Sequence, residues 1–262
     1  MFHYTKAVSR VGLRLAAFCM FTSHRWAKHL DKYPPELRFP HFKDIAKRVA
    51  DALNVDLEVF GLDNLPKEGN FFMVSNHLSA FDPIPMLMTV NYPTAFVGKM
   101  ELTKVPLLKT AMKALEVECI DRDNLRQSLK VMLKVEEDLR KGQKSWMIFP
   151  EGTRIRDQLL PVAPFHHGTF RPATKAGVPI LPVAMYGGFR VFKKKPQFKK
   201  YPVSISFLKP MMPEDYEHLH TSDIAEIMHD EIQREITYHL RPLDHKIMSE
   251  AKDKKYRFNQ IL

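Results

Sequence analysis

The sequence predicts an α/β fold: a mostly parallel central sheet flanked by helices, preceded by an N-terminal two-helix appendage. From residue 55 onward, short apolar stretches of strand length alternate with longer stretches of helical character, which is typical of βα repeats. The first 54 residues contain helical patterns only. A length of 262 residues with 45% hydrophobic content is enough for one large core or two small ones.

The N-terminal segment combines positive charge with a short apolar face. The first thirty residues carry five basic residues and no acidic one. Their spacing predicts a basic amphipathic helix that can lie in a bilayer surface. The residues on its two faces are Lys6, Arg10 and Arg14, and Val8, Val11, Leu15 and Phe18. The longest apolar run, 15–21, is far shorter than the about 20 residues that span a bilayer. A helix packed on the protein's own core and a cleaved targeting peptide are the alternatives.

A second N-terminal helix is predicted after a proline-rich linker. Prolines disfavour a helix interior, so Pro34, Pro35 and Pro40 predict a non-helical connection. The helix itself is indicated by apolar residues at helical spacing: Phe42, Ile45, Val49 and Leu53. Residues 1–54 are therefore predicted to be a membrane-binding segment that does not cross the membrane.

The predicted catalytic domain covers residues 55–240, and 241–262 is predicted to be a basic tail. The predicted strands are 57–60, 71–75, 95–98, 117–120, 146–149, 180–185 and 203–207. The predicted helices are 86–91, 105–114, 125–141, 170–176 and 224–240. The helix at 125–141 has the clearest limits, because Asp123 and Asn124 can cap its first amides and Gly142 suits a left-handed C-terminal position.

Charge and cysteine content narrow the class of protein. Forty basic and thirty acidic residues give a net charge of +10, which favours an anionic partner such as lipid headgroups, phosphate-bearing substrates or nucleic acid. The two cysteines, Cys19 and Cys119, form neither a disulfide framework nor a Cys-x-x-Cys motif. We therefore expect a protein of the reducing cytoplasm.

The stretch NHLSAFD, residues 76–82, places a histidine and an aspartate just after a predicted buried strand. Pro83 disfavours helical backbone at Asp82, so a turn rather than one smooth helix is expected to bring Asp82 back onto His77. A carboxylate on one imidazole nitrogen leaves the other free to take a proton from a hydroxyl, as a general base does. The alternative is purely structural, with Asp82 capping a helix that starts at Pro83.

A second stretch, FPEGTR at 149–154, also follows an apolar strand. Gly152 permits close approach of a ligand to the backbone, and Arg154 can bind a phosphate through two parallel hydrogen bonds. An acid, a glycine, a hydroxyl and a guanidinium thus share one loop. This combination favours a site for a phosphate-bearing ligand.

In this order and about seventy residues apart, NHLSAFD and FPEGTR resemble the first and third sequence blocks of the 1-acylglycerol-3-phosphate acyltransferases, in the glycerolipid acyltransferase superfamily. Residues 116–122 are similar to the second block, residues 178–183 to the fourth, and residues 97–102 to a further lysine-bearing segment. The sequence departs from the pattern at Glu116 and Cys119, where glycine and an aromatic residue are usual. It also departs at His166 and His167, where lysines are frequent. The resemblance extends from about residue 57 to about 208.

The resemblance implies the roles of the candidate residues. His77 would be the base and Asp82 its orienting partner. The residues implied to hold the acceptor are Lys99, Arg122, Glu151, Gly152, Thr153 and Arg154. Pro179 and Ile180 are implied to lie near the acyl donor, a thioester of acyl carrier protein (ACP) or coenzyme A, and no cofactor is required.

The implied function is synthesis of phosphatidic acid from lysophosphatidic acid by a peripheral enzyme at the cytoplasmic face of the cell membrane. Related enzymes acylate glycerol 3-phosphate, other lysophospholipids or a lipid A precursor, so these acceptors remain alternatives. No metal site is expected, because the pair His166–His167 has no spaced third ligand. Gly-x-Ser-x-Gly, P-loop and dinucleotide-binding glycine patterns are absent from the sequence.

A nucleic-acid-binding module is the competing class outside enzymes. It is motivated by the net charge and by residues 190–200, which include six basic and two aromatic residues. The same stretch fits anionic lipid, an acidic carrier protein or a solvated loop. The basic amphipathic N-terminal helix favours membrane, so no nucleic-acid partner is expected.

Overall fold

The computed structural model describes residue 12 and residues 17–67, 70–155, 162–192 and 199–250. All seven predicted strands are present and form one sheet in the order β1-β7-β6-β2-β5-β3-β4. The strands are β1 (Val55–Phe60), β2 (Phe72–Ser75), β3 (Thr94–Lys99), β4 (Glu118–Ile120), β5 (Ser145–Ile148), β6 (Ile180–Tyr186) and β7 (Tyr201–Phe207).

Strand direction determines where the loops meet. Neighbouring strands from β6 to β4 pair in parallel, whereas β7 pairs antiparallel to β6 and β1 parallel to β7. The carboxyl ends of β6, β2, β5, β3 and β4 therefore lie at one edge of the sheet, called here the carboxyl edge. The predicted mostly parallel α/β fold is confirmed.

Helices cover both faces of the sheet. They are α1 (His24–Lys28), α2 (Pro35–Ala52), α3 (Pro83–Thr89), α4 (Pro106–Ala114), α5 (Leu125–Lys141), α6 (Arg171–Ala176), α7 (Pro213–Tyr216), α8 (Thr221–Glu235) and α9 (Arg241–Glu250). Alternate residues of β2 point to opposite faces: Phe72 and Val74 join one buried cluster with α5 and α8, and Met73 joins the other with α1 and α2. The strands β2, β5, β6 and β7 are buried on both faces, as is typical of parallel sheets covered by helices.

The predicted helix at 125–141 is confirmed at both ends. The Asn124 side chain accepts a hydrogen bond from the Gln127 amide at 3.1 Å, and Gly142 has a left-handed φ of +67°. The predicted helix at 224–240 corresponds to α8 and the π turn Ile236–Leu240.

The predicted proline linker is wrong, because α2 begins at Pro35 and continues through Pro40. At the first helical position Pro35 loses nothing, since an amide there has no partner within the helix. Pro40 removes one hydrogen bond to the carbonyl of Glu36, and burial of Phe39 and Phe42 in the core offsets that loss.

The C-terminal region contains helices that the sequence analysis did not predict. Both α7 and α9 fall in this class, and α9 occupies the start of the segment predicted to be a tail. A buried ion pair holds α9 to the domain: Arg190 Nη1 donates to Asp244 Oδ1 at 2.9 Å. Residues 251–262 lie outside the described part of the chain.

The N-terminal helices share the core of the sheet. Most of the predicted amphipathic helix, including Lys6, Arg10, Arg14, Val8, Val11 and Leu15, lies outside the described residues. Phe18 contacts Trp26 and Phe42 edge-on, with ring centroids 5.6 and 5.4 Å apart, whereas Phe21 is 72% exposed. Phe18 therefore belongs to the core, and Phe21 faces solvent. Among the helices of the described ranges, none has the length and hydrophobicity to cross a membrane.

Candidate active site

The turn after β2 brings His77 and Asp82 together. Asp82 Oδ2 lies 2.9 Å from His77 Nδ1. The same oxygen accepts hydrogen bonds from the backbone amides of Leu78 and Ser79 at 2.8 and 2.7 Å. Asp82 is buried and His77 partly exposed, so the carboxylate fixes the ring while Nε2, the other ring nitrogen, remains available.

The structural alternative for Asp82 is not what the geometry shows. Asp82 stands at the start of α3 with Pro83 in the first helical position, but its side chain makes no capping hydrogen bond to the helix. Its backbone is helical, with φ −55° and ψ −32°, so the expected effect of Pro83 on Asp82 is wrong. The irregular backbone is at residues 76–79, before Asp82. A turn that leads into α3 follows, in which the Asp82 amide donates to the Ser79 carbonyl.

The side chain of Asn76 replaces backbone pairing at the point where the chain leaves the sheet. Its side-chain amide donates to the Met185 carbonyl, and its oxygen accepts from the Met185 amide, both at 2.9 Å. The Asn76 side chain thus hydrogen-bonds both backbone groups of Met185 in β6. The backbone of β2 does not pair with Met185, because the last backbone pair joins Ser75 to Val183.

Residues of the β5 loop hold His77 from the other side. The rings of His77 and Phe149 are stacked, with centroids 4.0 Å apart and planes at 19°. The Ile155 amide donates to the His77 carbonyl at 2.8 Å. Both the backbone and the ring of His77 are therefore fixed by the FPEGTR loop.

Glu151 lies beneath this arrangement and is only 4% exposed. Its Oε1 accepts from the His77 amide at 3.3 Å, while Oε2 is buried without a hydrogen-bond partner among the described residues. Burial, reinforced by the negative charge of Asp82, raises the pKa of Glu151 from 4.5 to about 8. The structure places Glu151 behind the site as support for His77, rather than on the surface that an acceptor would touch.

Gly152 lies against the side chains of His166 and Arg122. Its φ is +68°, a conformation that glycine adopts without strain. A Cβ at this position would lie 3.3 Å from His166 Nε2 and 3.9 Å from Arg122 Nε. Two nitrogen donors from different loops thus converge over bare backbone, and His166 occupies a position where the resemblance predicted lysines.

The remaining predicted acceptor residues lie at the same edge of the sheet. Thr153 and Arg154 are exposed in the loop after β5. Lys99 ends β3, and its ammonium pairs with the Glu101 carboxylate at 2.7 Å. The carboxyl edge therefore carries every predicted catalytic and acceptor residue.

The predicted donor residues are not at this edge. Ile180 pairs with Phe72 at the amino end of β2, and Pro179 precedes it. His77 lies five residues after Phe72 and beyond the end of β2, at most about 16 Å along the strand direction. Ile180 is fully buried, and the Pro179 carbonyl accepts from the Phe72 amide at 2.9 Å. The fourth motif thus forms the centre of the sheet, and its place near the acyl donor stays a prediction.

Gly188 is a site residue that the sequence analysis missed. It follows β6, and a Cβ there would lie 2.8 Å from Asp82 Oδ1 and 3.6 Å from Ser79 Cβ. The Asp82 carboxylate therefore leaves no space for a side chain larger than hydrogen at position 188. The sole available signal was a Gly187-Gly188 pair after a buried strand. Within the described ranges, no group of three or more His, Cys, Asp or Glu is arranged to hold a metal ion.

Comparisons with known proteins find acyltransferases. The acyltransferase family matches residues 56–186, half of the chain. A probable 1-acyl-sn-glycerol-3-phosphate acyltransferase of Mycoplasma pneumoniae is 27% identical over 217 residues, 78% of this chain and 80% of that protein. The 1-acyl-sn-glycerol-3-phosphate acyltransferase of Saccharomyces cerevisiae is 30% identical over 182 residues, 69% of this chain and 59% of that protein.

Among solved structures, the 1-acyl-sn-glycerophosphate (LPA) acyltransferase PlsC from Thermotoga maritima has a similar fold. The TM-score is 0.68 at 24% identity, and the match covers 90% of this chain and 94% of that chain. The fold, the carboxyl-edge site and the matched region define an acyl-transferring enzyme. The chain belongs to the acyltransferase family.

Proposed function

We propose that the enzyme transfers a fatty acyl group from an ACP or coenzyme A thioester to the free hydroxyl of 1-acyl-sn-glycerol 3-phosphate, giving phosphatidic acid. The observation that carries this proposal is the Asp82–His77 pair, which leaves one imidazole nitrogen available at the carboxyl edge. Relatives named 1-acyl-sn-glycerol-3-phosphate acyltransferases support the choice of acceptor.

In the proposed reaction, His77 Nε2 takes the proton of the acceptor hydroxyl as its oxygen attacks the thioester carbonyl carbon. A C–O bond forms, the C–S bond breaks, and the imidazolium returns its proton to the departing thiolate. Asp82 fixes the tautomer of the neutral imidazole and stabilises the transient imidazolium. No covalent enzyme intermediate is needed, because both substrates meet directly.

The acceptor's phosphate would bind beside the base. Arg122 and Arg154 are exposed guanidiniums of two neighbouring loops at the carboxyl edge. Guanidinium is well suited to phosphate, because it presents paired donors in a planar fork. Because Gly152 has no side chain, His166 and Arg122 can lie close to its backbone beside the proposed phosphate site.

A panel of acceptors tests the proposal. Release of thiol from a palmitoyl thioester is measured with lysophosphatidic acid, glycerol 3-phosphate, lysophosphatidylcholine or a lipid A precursor as acceptor. We expect the highest kcat/KM with lysophosphatidic acid, and release slowed about 10²-fold or more with every acceptor in His77→Ala. Preference for another acceptor would refute the substrate, and acceptor-dependent release by His77→Ala at nearly the wild-type rate would refute the mechanism.

We also propose that the enzyme binds peripherally to an anionic bilayer at the cytoplasmic face of the cell membrane. Met20 and Phe21 are exposed on the π turn Phe18–Ser23, which contacts α4, and Val105 and Leu108 are exposed beside them. Apolar side chains beside a basic segment are typical of interfacial membrane binding.

The membrane proposal is tested by co-sedimentation with anionic liposomes at low and high salt. Met20→Gln with Phe21→Gln should weaken binding without unfolding, because both side chains are exposed. A matched control is Leu129→Gln with Leu133→Gln, two exposed leucines on the opposite face of the sheet. Equal binding by the π-turn variant and the wild type would refute this membrane face, and binding to DNA fragments would favour the nucleic-acid class.

A further inference from the structure

Helix α5 presents an apolar surface that the domain leaves uncovered. Leu125, Leu129 and Leu133 recur every fourth residue and are 84%, 47% and 50% exposed. We call these three residues the leucine stripe. Their spacing keeps them on one side of the helix over about 12 Å. Exposed leucines aligned in this way favour a contact with another molecule.

Positive charge accompanies the leucine stripe. The first ten residues of α5 contain Arg126, Lys130 and Lys134 and no acidic residue. Lys134 pairs with Asp138. Arg126 and Lys130 have no hydrogen bond or ion pair within the described part of the chain. In the second half of the helix, by contrast, Glu136 pairs with Arg140 and Glu137 with Lys141. The nearest acids on the N-terminal side, Asp121 and Asp123, precede the helix.

The position of α5 connects this surface to the active site. The helix begins three residues after Arg122, at the carboxyl edge. It packs Val131, Val135 and Leu139 against the face of the sheet opposite to α1 and α2. If α1 and its π turn face a bilayer, the leucine stripe lies on the other side of the domain, where a soluble partner has access.

We propose that the leucine stripe, with Arg126 and Lys130, is the docking site for the acidic carrier protein that delivers the acyl thioester. This inference rests on the proposed function and specifies its donor. Unpaired cations around an apolar strip are complementary to an acidic protein surface with exposed apolar side chains. The site lies beside the loop that carries Arg122, so a thioester on a flexible prosthetic arm can enter the carboxyl edge from there.

The test compares two donors that share an acyl chain, palmitoyl-ACP and palmitoyl-CoA, with dispersed lysophosphatidic acid as acceptor. In Arg126→Glu with Lys130→Glu, we expect KM for palmitoyl-ACP to rise about tenfold or more, because reversed charges oppose an acidic partner. KM for palmitoyl-CoA should change less than about twofold, since the carrier contact is not used. Leu129→Gln with Leu133→Gln should show the same donor selectivity.

The matched control is Lys109→Glu with Lys113→Glu on α4, which also reverses two exposed cations four residues apart. We expect no donor-selective effect in this control. The proposal is overturned if the α5 variants lose both donors equally, if the α4 control matches them, or if the wild type does not use palmitoyl-ACP. It is also overturned if the α5 variants change liposome binding or oligomeric state, because lipid or a second copy would then cover the stripe. Turnover of either thioester with lysophosphatidic acid by the wild type shows separately whether the proposed function stands.

Discussion

Glu151→Gln tests whether the carboxyl beneath the active site is neutral in the folded protein. Burial and the charge of Asp82 raise the pKa of Glu151 to about 8, and its Oε2 has no partner among the described residues. Glutamine keeps the size and the oxygen that accepts from the His77 amide. It removes the ability to ionise, so the variant isolates the effect of that charge.

The sign of the effect follows from the direction of the pKa shift. A carboxyl whose pKa is higher in the folded state binds more protons when folded, so stability falls as the pH rises. This contribution is complete below 4.5, the ordinary pKa, and is lost as the pH rises through about 8. Each pKa unit corresponds to about 1.4 kcal/mol, so the full linkage is on the order of 4 to 5 kcal/mol.

The measurement is urea unfolding of both proteins at pH 5.5 and 8.5. The difference in unfolding free energy should move in favour of Glu151→Gln by roughly 3 kcal/mol across this interval, which covers most of the linkage. Glu137→Gln serves as control, because its hydrogen bond with Lys141 lowers the pKa of that exposed carboxyl and it stays ionised at both pH values. A pH-independent difference for Glu151→Gln would show that the carboxyl is charged in the folded state and that the reasoning is wrong.

Three further predictions concern turnover. His77→Ala should lower kcat by about 10²-fold or more with an unchanged circular dichroism spectrum. Asp82→Asn should also lower kcat strongly, because an amide does not stabilise the imidazolium. Near-normal kcat in either variant would refute the role of His77 as the base. Arg122→Ala and Arg154→Ala should each reduce kcat/KM for lysophosphatidic acid about tenfold, with a smaller change in donor KM, and equal effects on both substrates would exclude a phosphate role. Gly188→Ala should lower kcat in a folded protein, because its Cβ would meet Asp82 Oδ1 at 2.8 Å; wild-type kcat would contradict this.

The sheet was predictable because each strand is a short apolar run between polar turns. The same rule left strand direction open. β7 pairs antiparallel to β6, and no residue pattern within β7 distinguishes its direction. Helix α2 was not predicted over its full length. Local proline rules predicted a break, whereas burial of Phe39 and Phe42 stabilises a continuous helix.

The chemistry of the site was more predictable than its support. His77 and Asp82 are adjacent in a short turn, so their meeting depends on local geometry that the sequence reveals. Asn76 and Gly188 act through β6, more than a hundred residues away, and such pairing is invisible in a local motif. Pro179 lies at the start of a buried strand, whereas ligands of parallel sheets collect at the carboxyl ends of the strands, so its role near the donor stays a prediction.

Glu116 shows how a departure from the family pattern fits the fold. It stands where glycine is usual, and its φ of +56° is one that glycine adopts freely and other residues adopt at a cost. Although burial opposes ionisation, hydrogen bonds from Lys144 and Arg38 hold the pKa of Glu116 below its ordinary value. The carboxylate thereby joins Arg38 of α2 to the start of β4, and β4 leads directly to Arg122 at the carboxyl edge. An ion pair thus compensates for the lost glycine, and it fixes the strand that delivers a proposed phosphate ligand.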